Sequence, residues 1–179
     1  MRDTRGAEPS GRLITVEGVE GAGKSTQVAR LRSWLEGLGV HVVTTSEPDG
    51  TPLGARLRQL LGEVSPLDPV AERLLFAAAR AEHVRRVIRP ALAGGAVVLC
   101  DRYTDSTVAY KGYGRGVALD LIADLNRVAA DGLAPDLTIV LDLDAAEGLR
   151  RARGRPGPRV ALERPSEVDP FERLGLEFH

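Results

Sequence analysis

The segment with the clearest chemical signature is a glycine-rich stretch near the N-terminus, Gly18-Val19-Glu20-Gly21-Ala22-Gly23-Lys24-Ser25, followed by Thr26. It matches the pattern G-x-x-x-x-G-K-[ST], in which backbone N–H groups and the positive end of a helix dipole surround a polyphosphate. Lys24 would reach the terminal phosphates, and the Ser25 hydroxyl would bind Mg²⁺. The apolar residues 12–17 predict a strand before the loop. The sequence therefore predicts a site for a nucleoside triphosphate with Mg²⁺.

A second chemical feature follows the apolar run from Ala96 to Cys100. The run predicts a buried strand, and it ends in Asp101. An acidic residue at the carboxyl end of a parallel strand, in a chain with a phosphate loop, is typical of a Mg²⁺-associated carboxylate. Arg102 follows directly and would face the same phosphate crevice. Cys100 itself is expected to be a small buried apolar residue.

Two other stretches carry candidate binding residues. Residues 103–116 are rich in Tyr, Gly, Ser and Thr, a composition typical of a binding loop. Asp68 and Pro69 predict the start of a helix that runs until Pro90, with a buried stripe formed by Leu74, Leu75, Ala78, Ala81, Val84 and Ile88. On a neighbouring face, Glu72, Phe76 and Arg80 are spaced at i, i+4 and i+8. From the spacing alone, Phe76 would be one more core residue and Arg80 would be a solvated charge.

An arginine-rich run from Leu149 to Arg159 is interspersed with Gly and Pro. Such a run is commonly a solvated face or a linker. In a phosphoryl-transfer enzyme the same composition suits a mobile lid, whose arginines neutralise charge on the transferred group.

The alternation of short apolar strands with amphipathic helices predicts an α/β fold. Strands are expected at 12–17, 40–44, 96–101 and 137–142. The expected architecture is a three-layer P-loop NTPase fold, in which helices flank both faces of a parallel sheet. We expect a disordered leader at 1–11 and a single P-loop domain at 12–179, with its lid at about 149–160.

The composition restricts the classes of partner. The net charge of −1 gives no reason to expect a nucleic acid, and no segment has the length of a membrane span. The single cysteine suits a reducing compartment, and the N-terminus lacks a signal peptide, so we expect a cytoplasmic protein. The three histidines, His41, His83 and His179, share no metal or catalytic spacing and are assigned no chemical role.

These features together resemble bacterial thymidylate kinase, a P-loop nucleoside monophosphate kinase family. The resembling segments are GVEGAGKST, Glu47-Pro48 with Gly50-Thr51, LLFAAARAEHV, DRYTDSTVAYKGYGRG and APDLTIVLDLD. The resemblance covers nearly the whole chain from about residue 12. It implies transfer of the γ-phosphate of ATP to dTMP for dTTP biosynthesis, with Mg²⁺, by a homodimer.

The resemblance also implies roles for individual residues. The catalytic residues would be Lys24, Asp101, Arg102 and Arg153. ATP would be bound by residues 18–26 together with Arg150 and Arg153, and Ser25 and Asp101 would hold the metal. The implied dTMP-binding residues are Glu20, Pro48, Phe76, Arg80, Arg102, Tyr103, Ser106 and Tyr110. Phe76 would stack on thymine and Arg80 would hydrogen-bond it, which replaces the simpler interpretation of that helix face. The catalytic arginine would come from the lid, where Arg150, Arg151, Arg153 and Arg155 are candidates and Arg153 is the first choice.

Four features depart from the family pattern. Ser46 stands where an arginine usually holds the acceptor phosphate, and Asp49 replaces a glycine. Losing such a charge-assisted contact costs about 1.5–3 kcal/mol unless Arg56 or Arg115 replaces it. Lys111 stands where a glutamine is common in the family, and Pro170 stands where an arginine is common. The chain also ends at His179, where family members continue into a further strand and helices. These departures leave open a kinase with another acceptor, or a degenerate nucleotide-binding homologue.

Overall fold

Four parallel strands form the centre of the protein. The computed structural model describes residues 11–64, 67–113 and 118–154. In this part of the chain, β1 (Arg12–Gly18), β2 (Val42–Ser46), β3 (Val97–Asp101) and β4 (Leu137–Leu141) pair in the order β2-β3-β1-β4. Every pairing is parallel, so all four strands end at the same edge of the sheet.

Helices connect the strands in chain order: α1 (Lys24–Gly37), α2 (Pro52–Val64), α3 (Pro69–His83), α4 (Arg89–Ala93), α5 (Thr104–Thr107), α6 (Leu119–Ala129) and α7 (Ala145–Arg153). A π-helical segment, Val84–Ile88, joins α3 to α4, and a second one, Val108–Tyr113, follows α5. The prediction of an α/β fold with a parallel sheet between helices is confirmed.

β1 and β3 are buried on both faces, because their alternate residues enter two separate cores. On one face, the cluster of Val16, Val28, Val42 and Leu99 packs with α1. On the other face, the cluster of Leu13, Val84, Ile88, Val98, Cys100, Tyr103 and Ala130 packs the first π-helical segment, α4 and the turn after α6 against the sheet. β4, at the end of the strand order in the described ranges, is only partly buried. Burial on both faces explains why β1 and β3 are mostly apolar runs. Cys100 is fully buried, as expected.

Two predicted boundaries were wrong. The second strand begins at Val42 instead of residue 40, because the Val40 N–H donates to the Leu35 carbonyl and closes the end of α1. The helix predicted to stop at Pro90 continues to Ala93. Proline lacks an N–H and clashes with the carbonyl of residue i−4 in a regular α-helix. The π-helical turn just before Pro90 widens the helix where that clash would occur.

The predicted buried stripe of α3 was also partly wrong. Leu74 and Ala78 are exposed, whereas Glu72, Arg73, Arg80 and His83 are buried. The polar side chains face inward because this side of α3 borders a cleft with hydrogen-bonding partners. The expected binding loop at 103–116 is helical over its described part, from Thr104 to Tyr113.

Several expectations lie outside the described residues: the leader up to residue 10, Arg115, Arg155, Pro170, the lid beyond Gly154 and the C-terminal end. The side chain of Lys111 is outside them as well. Within the described ranges, we find no helix with the length and apolar character needed to cross a lipid bilayer.

The phosphate loop packs directly on α7 through two glycines. A methyl group at position 148 would lie 2.4 Å from the Glu20 carbonyl oxygen, and one at position 21 would lie 2.0 Å from the Gly148 carbonyl oxygen. Only residues without a side chain permit this approach of two backbones. The contact joins the loop to the helix that carries Arg150 and Arg153.

We therefore expect Gly148→Ala to lower the free energy of unfolding by about 1–3 kcal/mol, because the added methyl group must displace backbone. Urea denaturation measures this change. Gly37→Ala is the matched control, since nothing lies within 4 Å of its added methyl group on α1. The control should be neutral or stabilising by up to about 1 kcal/mol. Equal effects of the two substitutions would contradict the packing described here.

Candidate functional site

The phosphate loop joins the end of β1 to the start of α1. Gly21 and Gly23 have φ of 75° and 95°, a conformation that favours glycine. Gly23 is the N-cap of α1, and Lys24 is its first residue. The loop therefore points successive N–H groups and a helix N-terminus at the same place, as an anion site requires.

Lys24 lies within the loop and is only 8% exposed. Its Nζ donates hydrogen bonds to the carbonyl oxygens of Gly18 (2.9 Å) and Val19 (2.8 Å). Burial and, to a smaller extent, the positive charge of Arg102 lower the pKa of Lys24 to about 8, because nearby carboxylates only partly oppose these two effects. An anion beside Nζ would favour the charged form of the lysine.

Ser25 and Asp101 come together from two elements. The Ser25 hydroxyl, in the first turn of α1, donates to Asp101 Oδ2 at 2.9 Å, at the end of β3. A hydroxyl and a carboxylate are hard oxygen donors, and Mg²⁺ is commonly held by one or two such groups with phosphate oxygens and water. In the described ranges no three His, Cys, Asp or Glu side chains form a metal-binding cluster. The pair thus fits Mg²⁺ bound together with a phosphate.

Arg102 connects the phosphate loop to the other half of the site. Its backbone has φ of 69°, an unfavourable value for a residue with a side chain. The guanidinium donates to Glu20 Oε1 at 2.7 Å and lies 5.2 Å from the centre of the Tyr110 ring. The Tyr110 hydroxyl donates to both oxygens of Glu20, at 2.8 and 2.7 Å. Glu20 is thus held between an arginine and a tyrosine, beside the phosphate loop.

Glu17 braces the segment after β3, a role that our sequence interpretation missed. The carboxylate accepts from the Tyr103 N–H (2.7 Å) and the Ser106 hydroxyl (2.6 Å). Burial raises the pKa of Glu17 despite these hydrogen bonds. The only signal in the sequence was a charged residue within an apolar strand.

A cleft lies next to the phosphate loop, and the space in it, together with the open solvent at its mouth, is about 520 Å³. All eight residues predicted to bind the acceptor line it: Glu20, Pro48, Phe76, Arg80, Arg102, Tyr103, Ser106 and Tyr110. Glu47, Arg58 and Thr107 also line it. The residues come from the loop, the end of β2, α2, α3 and the helical segment after β3. The lining includes three aromatic rings, three guanidinium groups and several hydroxyl groups.

Arg80 is the most completely bound side chain of the cleft. Its Nε donates to Glu47 Oε2 (2.8 Å), and its two terminal nitrogens donate to Tyr103 O, Thr107 Oγ1 and Asn126 Oδ1. These bonds occupy four of the five N–H groups of a guanidinium. Arg80 is therefore held rigidly, with one donor left for a ligand in this part of the chain.

A basic residue that our sequence interpretation had not named lies at the rim of the cleft. Arg56 is exposed and outside the cleft, whereas Arg58 lines it. The Nε of Arg58 donates to both carboxylate oxygens of Asp49, each at 2.8 Å. Asp49, which replaces a glycine, thus orients a cationic side chain at the rim.

The lid arginines of α7 do not line the cleft. Arg150 and Arg151 both donate to Glu147, with every contact at 2.7 Å. Arg153 is exposed in the last turn of α7 and forms no ion pair with another described residue. The assignment of Arg153 as the catalytic arginine therefore stays a prediction.

Comparison with known proteins gives a consistent result. The family model described as thymidylate kinase matches residues 16–166. The chain is 53% identical over 172 residues to a thymidylate kinase of Nostoc punctiforme, covering 94% of this chain and 77% of the relative. It is 53% identical over 169 residues to one of Solidesulfovibrio magneticus, covering 93% and 79%. A crystal structure of thymidylate kinase from Ehrlichia chaffeensis superposes with a TM-score of 0.72 at 43% identity, covering 80% of this chain and 78% of the other.

The lowered pKa of Lys24 gives a testable dependence of stability on pH. Below pH about 8 the lysine is charged in both states, and burial of that charge disfavours the folded state. Between about pH 8 and the usual lysine pKa, only the unfolded chain keeps the proton, so the penalty decreases as pH rises. We expect the free energy of unfolding, relative to that of Lys24→Met, to rise by about 2–3 kcal/mol from pH 7 to pH 10. Lys24→Arg is the control: arginine stays charged over this pH range, so its free energy of unfolding should not show the rise. If the difference in free energy of unfolding between the unmodified protein and Lys24→Met did not change with pH, the lowered pKa of Lys24 would be contradicted.

Proposed function

The chain belongs to the thymidylate kinase family, and we propose that it transfers the γ-phosphate of MgATP to dTMP, giving ADP and dTDP. The observation that carries the proposal is the cleft beside the phosphate loop. It combines Phe76 and Arg80 at one end with Arg102 at the other. An aromatic ring and a hydrogen-bond donor suit a nucleobase, and a guanidinium suits a phosphate.

On the donor side, the loop residues 18–26 bind the ATP phosphates through backbone N–H groups and Lys24. Mg²⁺ would be held by Ser25 and Asp101, and it neutralises charge on the β- and γ-phosphates when bound. The short Ser25–Asp101 contact supports this assignment, because the two ligands of one metal must lie close together.

On the acceptor side, Arg102 binds the dTMP phosphate and directs it towards the γ-phosphate. Glu20 orients Arg102 from the phosphate loop, so the donor and acceptor groups share one ion pair. Arg58 adds positive charge at the rim in place of an arginine at position 46. Tyr103, Ser106 and Tyr110 surround the sugar and phosphate, and Phe76 stacks on thymine.

The arginine that stabilises the transferring phosphoryl group comes from α7 and the segment after it. Arg153 is our candidate, since Glu147 engages both Arg150 and Arg151. The packing of α7 on the phosphate loop supports this proposal, because it anchors the base of the lid beside the donor.

Steady-state assays with dTMP, dUMP, dGMP and dCMP test the function. We expect preference for dTMP, and Phe76→Ala should raise the KM for dTMP about 10- to 100-fold through lost stacking. Phe76→Tyr, which keeps a ring, should stay within about threefold. Preference for another monophosphate would overturn the proposed acceptor. If the protein bound ATP and dTMP but formed no more product than the Lys24→Ala variant, it would be a degenerate homologue instead.

We also propose that the protein acts as a homodimer. Leu53, Leu60 and Val64 lie on one face of α2, and Val70 and Leu74 lie on the adjacent helix α3; all five are exposed. The spacing of seven and four residues places the α2 side chains in one stripe. Because α2 packs against α3, these exposed apolar side chains lie on neighbouring helices, where an interface between subunits would bury them together.

Light scattering during size-exclusion chromatography tests the dimer. Leu74→Glu should convert the dimer to a monomer, because it places a charge among the exposed apolar side chains of α2 and α3. Leu38→Glu is the control, since Leu38 is equally exposed but lies at the end of α1, which packs on the other core. A monomeric unmodified protein, or a dimer that persists in Leu74→Glu, would refute the proposed interface.

A further inference from the structure

His83 is a buried histidine to which our sequence interpretation assigned no role. The side chain is 1% exposed and lies at the end of α3, beneath the segment that follows β2. Its Nε2 is 2.6 Å from Thr45 Oγ1, and its Nδ1 is 3.3 Å from Glu47 Oε1. Gly50 closes over the ring so tightly that a methyl group there would lie 2.3 Å from Nε2.

The partners of the ring determine which nitrogen carries the proton. The positive charge of Arg80 and hydrogen bonds from His83 and Arg80 outweigh burial and lower the pKa of Glu47, so this carboxyl group is ionised and only accepts. Nδ1 must therefore donate to Glu47.

Arg80 pairs with the same carboxylate, with a contact of 2.7 Å. On the other side of the ring, Nε2 shares a hydrogen bond with the Thr45 hydroxyl. Thr45, His83, Glu47 and Arg80 thus form a continuous chain of hydrogen bonds from β2 into the cleft, in which Glu47 accepts from both His83 and Arg80.

We propose that His83 is a positioning residue for the nucleobase end of the acceptor site. Its Nδ1–H holds Glu47 Oε1, which leaves Oε2 directed at Arg80 and fixes the angle of the guanidinium in the cleft. The proposal rests on the proposed function, in which Arg80 binds the base of dTMP. Arg80 and His83 both lie on α3, so two side chains of one helix hold a carboxylate that stands 33 residues before Arg80 in the sequence.

A pair of substitutions separates the two ring nitrogens. His83→Asn places an amide donor near the position of Nδ1, and His83→Gln places its amide near that of Nε2. We expect His83→Gln to raise the KM for dTMP about tenfold, consistent with loss of a hydrogen bond to a charged group. His83→Asn should stay within about threefold. In both variants kcat and the KM for ATP should change less than twofold, because the donor loop is not part of the hydrogen-bond chain.

His41→Gln is the matched control, since His41 is exposed, and it should leave every constant unchanged. Thermal denaturation of each variant shows whether it is folded. A parallel loss of ATP and dTMP affinity in folded variants would mean a merely structural role and would overturn the proposal. Equal KM values for dTMP in the Asn and Gln variants would overturn it as well.

A spectroscopic test does not depend on activity. Histidine ¹⁵N spectra of the unmodified protein should show one buried ring with a protonated Nδ1, and this signal should be missing in His83→Asn. A His83 ring without a proton on Nδ1 would refute the proposal. If the unmodified protein failed to phosphorylate dTMP, the proposed function would fail, and the spectrum would still decide the arrangement of the ring.

Discussion

The site depends on the parallel pairing of β1 with β3. The register places Val16 opposite Asp101, so the phosphate loop and the Asp101-Arg102 dipeptide leave the sheet side by side. Ser46 at the end of β2 pairs with the same Asp101 from the other side. The phosphate loop, Asp101 and the cleft therefore share one edge of the sheet, where the carboxyl ends of parallel strands meet.

Three buried carboxylates organise this edge. Glu17 holds the backbone after β3, Glu20 holds Arg102, and Glu47 holds Arg80. Removing one partner from a buried ion pair is strongly destabilising, whereas the intact pair adds little net stability. These groups therefore serve mainly to select one arrangement of the cleft. Each arginine reaches a ligand only in the orientation that its carboxylate allows.

The sheet and the donor loop could be predicted because their signals are local. A strand, a glycine-rich turn and a helix follow one another within about 25 residues, and backbone N–H groups do the binding. Asp101 could be predicted since it ends an apolar run. The inner face of α3 could not be predicted by periodicity, because Glu72, Arg73 and His83 are buried while Leu74 is exposed. Burial of polar groups depends on partners that other elements bring.

By itself, the sequence determined the α/β architecture and predicted the phosphate loop and, through resemblance, the residues that line the cleft. Only the tertiary structure showed that Arg58 lines the cleft and pairs with Asp49, that Glu17 braces Ser106, and that His83 contacts Glu47. The physical reason is distance along the chain. The bond between Ser106 and Glu17 joins residues 89 positions apart, and no local pattern encodes which side chains meet after the strands pair.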